Sequence, residues 1–171
     1  MNKDLLVRAL QYKQWADART LEAIRSLPTS YDNKPLSFMH QQLNHMVIVE
    51  ELFRARLLEL NDPHRATNTT DVPTLAELSQ RLQNSNEWLQ NYLHQLSNEA
   101  LNQVVRFRFA DGKDGAMTRA EILFHLVNHG TYHRGAIGHA LDLAGGNRPA
   151  DTFTVFTHEA EPIRRSGGLK N

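Results

Sequence analysis

The sequence predicts an all-α fold: a four-helix bundle with a short extended segment or hairpin before the last long helix. Three observations predict it. Apolar residues recur at steps of three and four over four long stretches. Two Thr-x-x-Glu capping boxes mark helix starts. One short run, Val104 to Phe109, alternates instead and is rich in aromatic and β-branched residues.

The first helix is expected from about Lys3 to Ser26. Leu5, Ala9, Tyr12 and Ala16 follow the step pattern of one face, widened by Trp15, Ala18, Leu21 and Ile24. Leu27-Pro28 stops it, because a residue before proline is pushed out of the helical region. The second helix runs from about Leu36 to Leu60, on Leu43, Met46, Val47, Leu52 and Phe53, and Asn61-Asp62-Pro63 ends it. A polar, Thr/Asn-rich loop follows from Pro63 to Pro73, long enough to cross over the bundle. Thr74-x-x-Glu77 opens the third helix, carried by Leu75, Leu78, Leu82, Trp88, Leu89 and Leu93 to about Leu96, and Ser97 caps a further short turn. Asp111-Gly112 is a turn signal after the alternating run. Thr118-x-x-Glu121 opens the last long helix, which Ile122, Leu123, Leu126, Ile137, Leu141 and Leu143 carry to Gly145-Gly146, a C-cap. Gly130, Gly135 and Gly138 lie inside it at about 1 kcal/mol each relative to alanine, which points to close approach by another backbone or a ligand. The tail from Asn147 onward is polar and punctuated by Pro and Gly.

At 171 residues the chain has the size of one domain, residues 1–171, and 40% hydrophobic residues suffice for one core. Lys plus Arg and Asp plus Glu are 19 each, so the basic excess expected of a phosphate-gripping protein is missing and no nucleic-acid partner is predicted. No apolar run approaches the length of a bilayer span, and Met1-Asn2-Lys3-Asp4 lacks an apolar signal segment. The expectation is a cytoplasmic protein with no membrane partner. Without cysteine, any metal must be held by imidazole, carboxylate, backbone or water.

Nine histidines are many for such a chain. His129 and His133, four apart on the last helix, place two imidazoles on one face, where they can share a metal. His125 forms an equally spaced pair with His129, and periodicity does not choose between the pairs. The ordinary reading of such a pair is hydrogen bonding or exposure to solvent. Asn128, Tyr132 and Arg134 make the segment polar enough to line a cavity. A further ligand is expected from another helix, His40 or His45, with His64, His94, His139 and His158 less well placed. His45 sits in an apolar stretch where an uncompensated imidazole is costly, whereas His40, near the helix start, is expected to be exposed.

The run from His125 through Asn128-His129-Gly130 to Tyr132-His133-Arg134-Gly135 resembles the signature of the DinB/YfiT-like metalloenzymes, the damage-inducible DinB family. Leu43-Asn44-His45 through Glu50 to Phe53 resembles its other motif block, and Tyr12-x-x-Trp15-Ala16 and Leu141-x-x-Ala144-Gly145 extend the likeness over nearly the whole chain. The resemblance implies a four-helix bundle with a mononuclear site of His45, His129 and His133, His125 being a non-ligand. Ala136 departs from the Gln that often follows Arg-Gly in the family. Three nitrogens leave coordination positions open, as in catalytic sites, and a metal there acidifies bound water or a bound thiol.

The resemblance thus implies a divalent metal, Ni or Zn, a small-molecule substrate, a low-molecular-weight thiol supplied from outside, and a homodimer. Two readings follow: a metal-dependent transferase or hydrolase, or a non-catalytic metal-binding or interaction protein in a stress response. Glu50, Glu51, Tyr132 and Arg134 are candidates to support the site, each equally read as an ordinary solvated or hydrogen-bonded helix residue.

Overall fold

The computed structural model describes residues 2–28 and 33–165. They are predominantly helical: α1 (Lys3–Arg25), α2 (Asn33–Leu57), α3 (Leu75–Gln95), the single-turn α4 (Asn98–Leu101), α5 (Arg119–Leu143) and α6 (Phe153–Ala160). Between α4 and α5 lies an antiparallel hairpin of β1 (Val104–Arg108) and β2 (Asp114–Thr118), in register from Val104 opposite Thr118 to Arg108 opposite Asp114. Both capping boxes form, with Thr74 and Thr118 each exchanging hydrogen bonds with the glutamate three residues on. Ser97 caps α4. Gly145 is left-handed, at φ 67°, as the end of α5 requires.

Three elements differ from the sequence reading. Helix α2 is shifted: it starts at Asn33, with Pro35 in the first turn, where a missing N–H costs nothing. It ends at Leu57, because Glu59 turns left-handed at φ 58° and the Leu60 N–H donates back to the Ala55 carbonyl at 2.9 Å. The buried face of α1 is wider than expected: Tyr12, Ala16, Leu21 and Ile24 are buried as expected, and further residues join them. Leu5 is exposed, and Leu6, Leu10, Lys13, Asp17, Thr20 and Ile24 point inward. The tail is not irregular: Thr152 caps α6, whose Phe153 and Phe156 pack against Tyr12, with Phe156 also against Trp15. Its last residues, 166–171, lie outside those described.

Helix α1 packs on α5 and α3, and α2 packs on the same two helices. The core has two parts. One contains Leu6, Leu10, Phe53, Leu89, Leu93, Leu123 and Leu126, next to the hairpin and α6. The other contains Leu21, Met39, Leu43, Leu78, Leu82, Ile137 and Leu141. Helices α1 and α5 therefore run from the first part to the second, while α2 and α3 run the opposite way. Residues 58–74 must accordingly travel the length of the molecule between α2 and α3, which is the crossover the long loop allowed.

Candidate metal centre

At mid-height, between the two apolar parts, side chains are polar. On one side of α5, His45 from α2 meets His129 and His133. Nε2 of His45 and Nε2 of His129 are 3.0 Å apart, and ring centroids are separated by 4.9 Å (His45–His129), 4.6 Å (His45–His133) and 4.4 Å (His129–His133). One nitrogen from each ring lies within 4.8 Å of the other two. All three rings are half-buried, and among the described residues none pairs with a carboxylate.

The ring orientations have local causes. The Thr67 carbonyl, carried over the site by the crossover loop, accepts from Nδ1–H of His45 at 2.8 Å. That loop is anchored to α2 through Gln41, which donates to Asn68, and the buried Asn44, which donates to Thr69. Oε1 of Gln42, one turn before His45, accepts from Nδ1–H of His133 at 2.6 Å. With Nδ1 protonated on both rings, Nε2 of each carries a lone pair available to a metal. The same tautomer makes His129 the donor in the 3.0 Å contact to His45. A shared proton thus joins two nitrogens whose separation also suits a shared ion, since ligands about 2.0–2.1 Å from one metal lie roughly 3 Å apart.

Burial holds the His129 imidazole down to about 3, helped by the neighbouring His133, His45 and His125 and by Lys13. Burial, aided by His45, brings His133 to about 4. Both rings are therefore neutral at physiological pH, the form a metal needs. Three imidazole nitrogens with no carboxylate among them fit a divalent cation of borderline softness better than Mg²⁺ or Ca²⁺, which take oxygen.

Next to the trio, a cavity of about 360 Å³ is lined largely by apolar side chains from α2 and the hairpin, together with His45, His129 and His125. His125 stands outside the cluster; its ring rests 5.2 Å from Phe53 and 5.4 Å from His129. His40 is not exposed as expected. It is half-buried, and its Nε2 has no hydrogen-bond partner among the described residues. His64 pairs with Glu51, which also receives two hydrogen bonds from Arg81. His158 bonds the Thr154 carbonyl, and His94 and His139 are exposed. Tyr132 is exposed and lies edge-on to His133, 5.1 Å away.

Glu50 and Arg134 point away from the histidines into a buried ion layer. Lys13 touches Asp17, Glu50 and Asn86 at 2.8 Å each, and Arg134 binds Asp17 and Asp151, also at 2.8 Å each. Ser85 closes the layer on Glu50, and Tyr12 on Asp151. Gly130 makes room for it: a Cβ there would lie 2.8 Å from Nη1 of Arg134. The close approach expected at this glycine is therefore by side chains, neither backbone nor ligand. Sequence reasoning missed Gln42, Thr67 and Lys13. A Gln three residues before a helical His is a usable signal, whereas a loop carbonyl has none.

The family model described as the DinB family matches residues 1–165. The chain belongs to the DinB family. It is similar to Protein DinB of Bacillus subtilis (strain 168), with 24% identity over 159 residues covering 86% of this chain and 91% of that protein. No solved structure matches. In this DinB-family chain, His45, His129 and His133 are a group that could hold a metal ion.

Proposed function

We propose that this chain is a metal-dependent enzyme, folded as a single four-helix-bundle domain, in which His45, His129 and His133 bind one divalent ion, Ni(II) or Zn(II). The observation that carries the reading is the convergence of three imidazoles from two helices, two of them already oriented through Nδ1. Once bound, the ion supplies Lewis acidity to a coordinated water or thiol. The chain has no cysteine, so the thiol of a transferase reaction comes from a small molecule. Thr67 and Gln42 fix the ligand rings, and Val49, Leu52 and Phe53 keep water from the adjoining cavity. That cavity favours an enzyme over a structural site, because a closed structural metal needs no room beside it.

Elemental analysis of untagged protein, with Ni(II) and Zn(II) titrations, tests the proposal. One ion per chain is expected. His45→Ala and His133→Ala each lose tight binding, and His125→Ala keeps the stoichiometry. If His125→Ala loses the metal and His133→Ala keeps it, the ligand assignment is wrong. A thiol-transfer screen on metal-loaded protein, beside the triple His→Ala variant, tests the activity.

A further inference from the structure

The cavity's walls say more about its occupant than its position does. Its one cation, Arg56, is already committed: its guanidinium binds Asp62 at 3.3 and 3.0 Å and the Arg108 carbonyl at 3.1 Å, and it lies over the rings of Phe53 and Phe107. No lining residue is acidic. In the metal-free chain the side chains of the cavity therefore offer neither a free cation for a carboxylate or phosphate nor an anion for an amine, and burying an unpaired charge against such walls is costly.

The His125 imidazole in the wall is uncommitted. His125 makes no hydrogen bond among the described residues, although a neutral imidazole offers one donor and one acceptor. Beside it, Phe53, Phe107 and Phe109 pack edge-on in a row, with centroids 5.5 and 4.9 Å apart, and Phe53 and Phe109 line the cavity. Gly115 permits that arrangement, since a Cβ there would lie 2.6 Å from the Phe109 ring and 2.8 Å from that of Phe107. The volume of about 360 Å³ falls near the lower end of small-molecule pockets.

We propose that this cavity binds a compact, uncharged organic molecule: an apolar, ring-sized body carrying one hydrogen-bonding group, which His125 meets. The identification of that molecule as substrate rests on the metal-enzyme reading, but its binding does not. His125 is thus a positioning residue, one turn from the ligand His129.

Binding of 2-naphthol, naphthalene and 2-naphthoate to the full-length, metal-free chain, followed by fluorescence and NMR, tests this. Nickel stoichiometry is measured separately. We expect 2-naphthol to saturate one site and 2-naphthoate to bind at least about tenfold more weakly. His125→Phe, which keeps the ring, should weaken 2-naphthol about three- to tenfold and leave naphthalene unchanged. Met117→Glu, checked for folding by circular dichroism, should weaken both neutral probes. Equal binding of 2-naphthoate, or 2-naphthol binding indifferent to both substitutions, overturns the proposal. Saturable 2-naphthol binding without stoichiometric nickel would instead remove the metal reading and leave this one standing. Nickel on the histidine trio without 2-naphthol binding does the reverse.

Discussion

The two sides of α5 solve the problem of buried polarity in opposite ways. On one side, Lys13, Asp17, Glu50, Arg134 and Asp151 lie in a layer where every charge touches an opposite one. Burial alone would raise the Asp17 pKa, but Lys13 and Arg134 outweigh it and hold the carboxyl below its ordinary range. On the other side, three imidazoles face one another with no counter-charge, and burial keeps His129 and His133 neutral. Adjacent residues take different sides: His129 and His133 face His45, and Gly130 and Arg134 face the ions. A closed layer has nothing left to bind, whereas an uncharged cluster of donors is receptive to a cation. The first arrangement fixes how α1, α2, α3 and α5 meet; the second is free to do chemistry.

The largest effect should come from opening the closed side. Asp17→Asn removes the carboxylate shared by Lys13 and Arg134 and so breaks two of the layer's four ion pairs. Urea denaturation should show a loss of about 3–5 kcal/mol, while His133→Asn at the open side should cost far less. A loss below about 1 kcal/mol for Asp17→Asn would mean that water reaches the layer. Glycines on α5 give a smaller version of the same contrast. Gly130→Ala pushes on Nη1 of Arg134, which cannot retreat because Asp17 holds it at 2.8 Å, so a net loss of about 1–3 kcal/mol is expected. Gly135→Ala meets nothing within 4 Å and should gain about 0.5–1 kcal/mol from helix propensity.

The same contrast explains what the sequence made legible. Capping boxes at Thr74 and Thr118 are local, and so were read in place. The histidine pairs were visible but ambiguous, because His125 and His133 are both four residues from His129. The ambiguity ends only when α2 brings His45 near, with 84 residues between it and His129. The ion layer was invisible for a related reason. Lys13 and Asp17 look like solvated residues to any count of apolar steps, so the polar part of the buried face of α1 escapes it, while Tyr12, Ala16, Leu21 and Ile24 do not. Their partners lie as far as 117 residues away in the chain.

Gln42 probes the open side without touching the closed one. Gln42→Ala frees Nδ1 of His133 and the orientation of its ring. Nickel affinity should fall about 10–100-fold, the usual effect of losing a group that orients a metal ligand. Because Gln42 takes no part in the ion layer, the denaturation midpoint of the metal-free protein should barely move. A large stability loss with unchanged nickel affinity would assign Gln42 to packing.

The last contrast is a pH dependence that separates the two sides by pH range. In the unfolded chain His129 and His133 titrate near the ordinary histidine value of about 6.5, whereas in the fold they do so only near 3 and 4. Between those values the unfolded state binds more protons, so stability falls as pH is lowered. The loss begins below about pH 6.5 and is complete for each ring only below its folded value. Asp17, held below its ordinary range, adds a loss in the same direction, but only where unfolded carboxyls begin to protonate, around pH 4. The histidine contribution therefore occupies a window, roughly pH 6.5 to 5, above the range in which Asp17 contributes; Glu50, whose pKa burial raises, acts with the opposite sign. Urea midpoints of metal-free protein should decline gently through that window. In the His129→Phe variant, checked to be folded, the decline should shrink. An undiminished slope in that variant would place the titrating groups elsewhere, with the half-buried His40 and His125, both depressed by burial, as the remaining candidates.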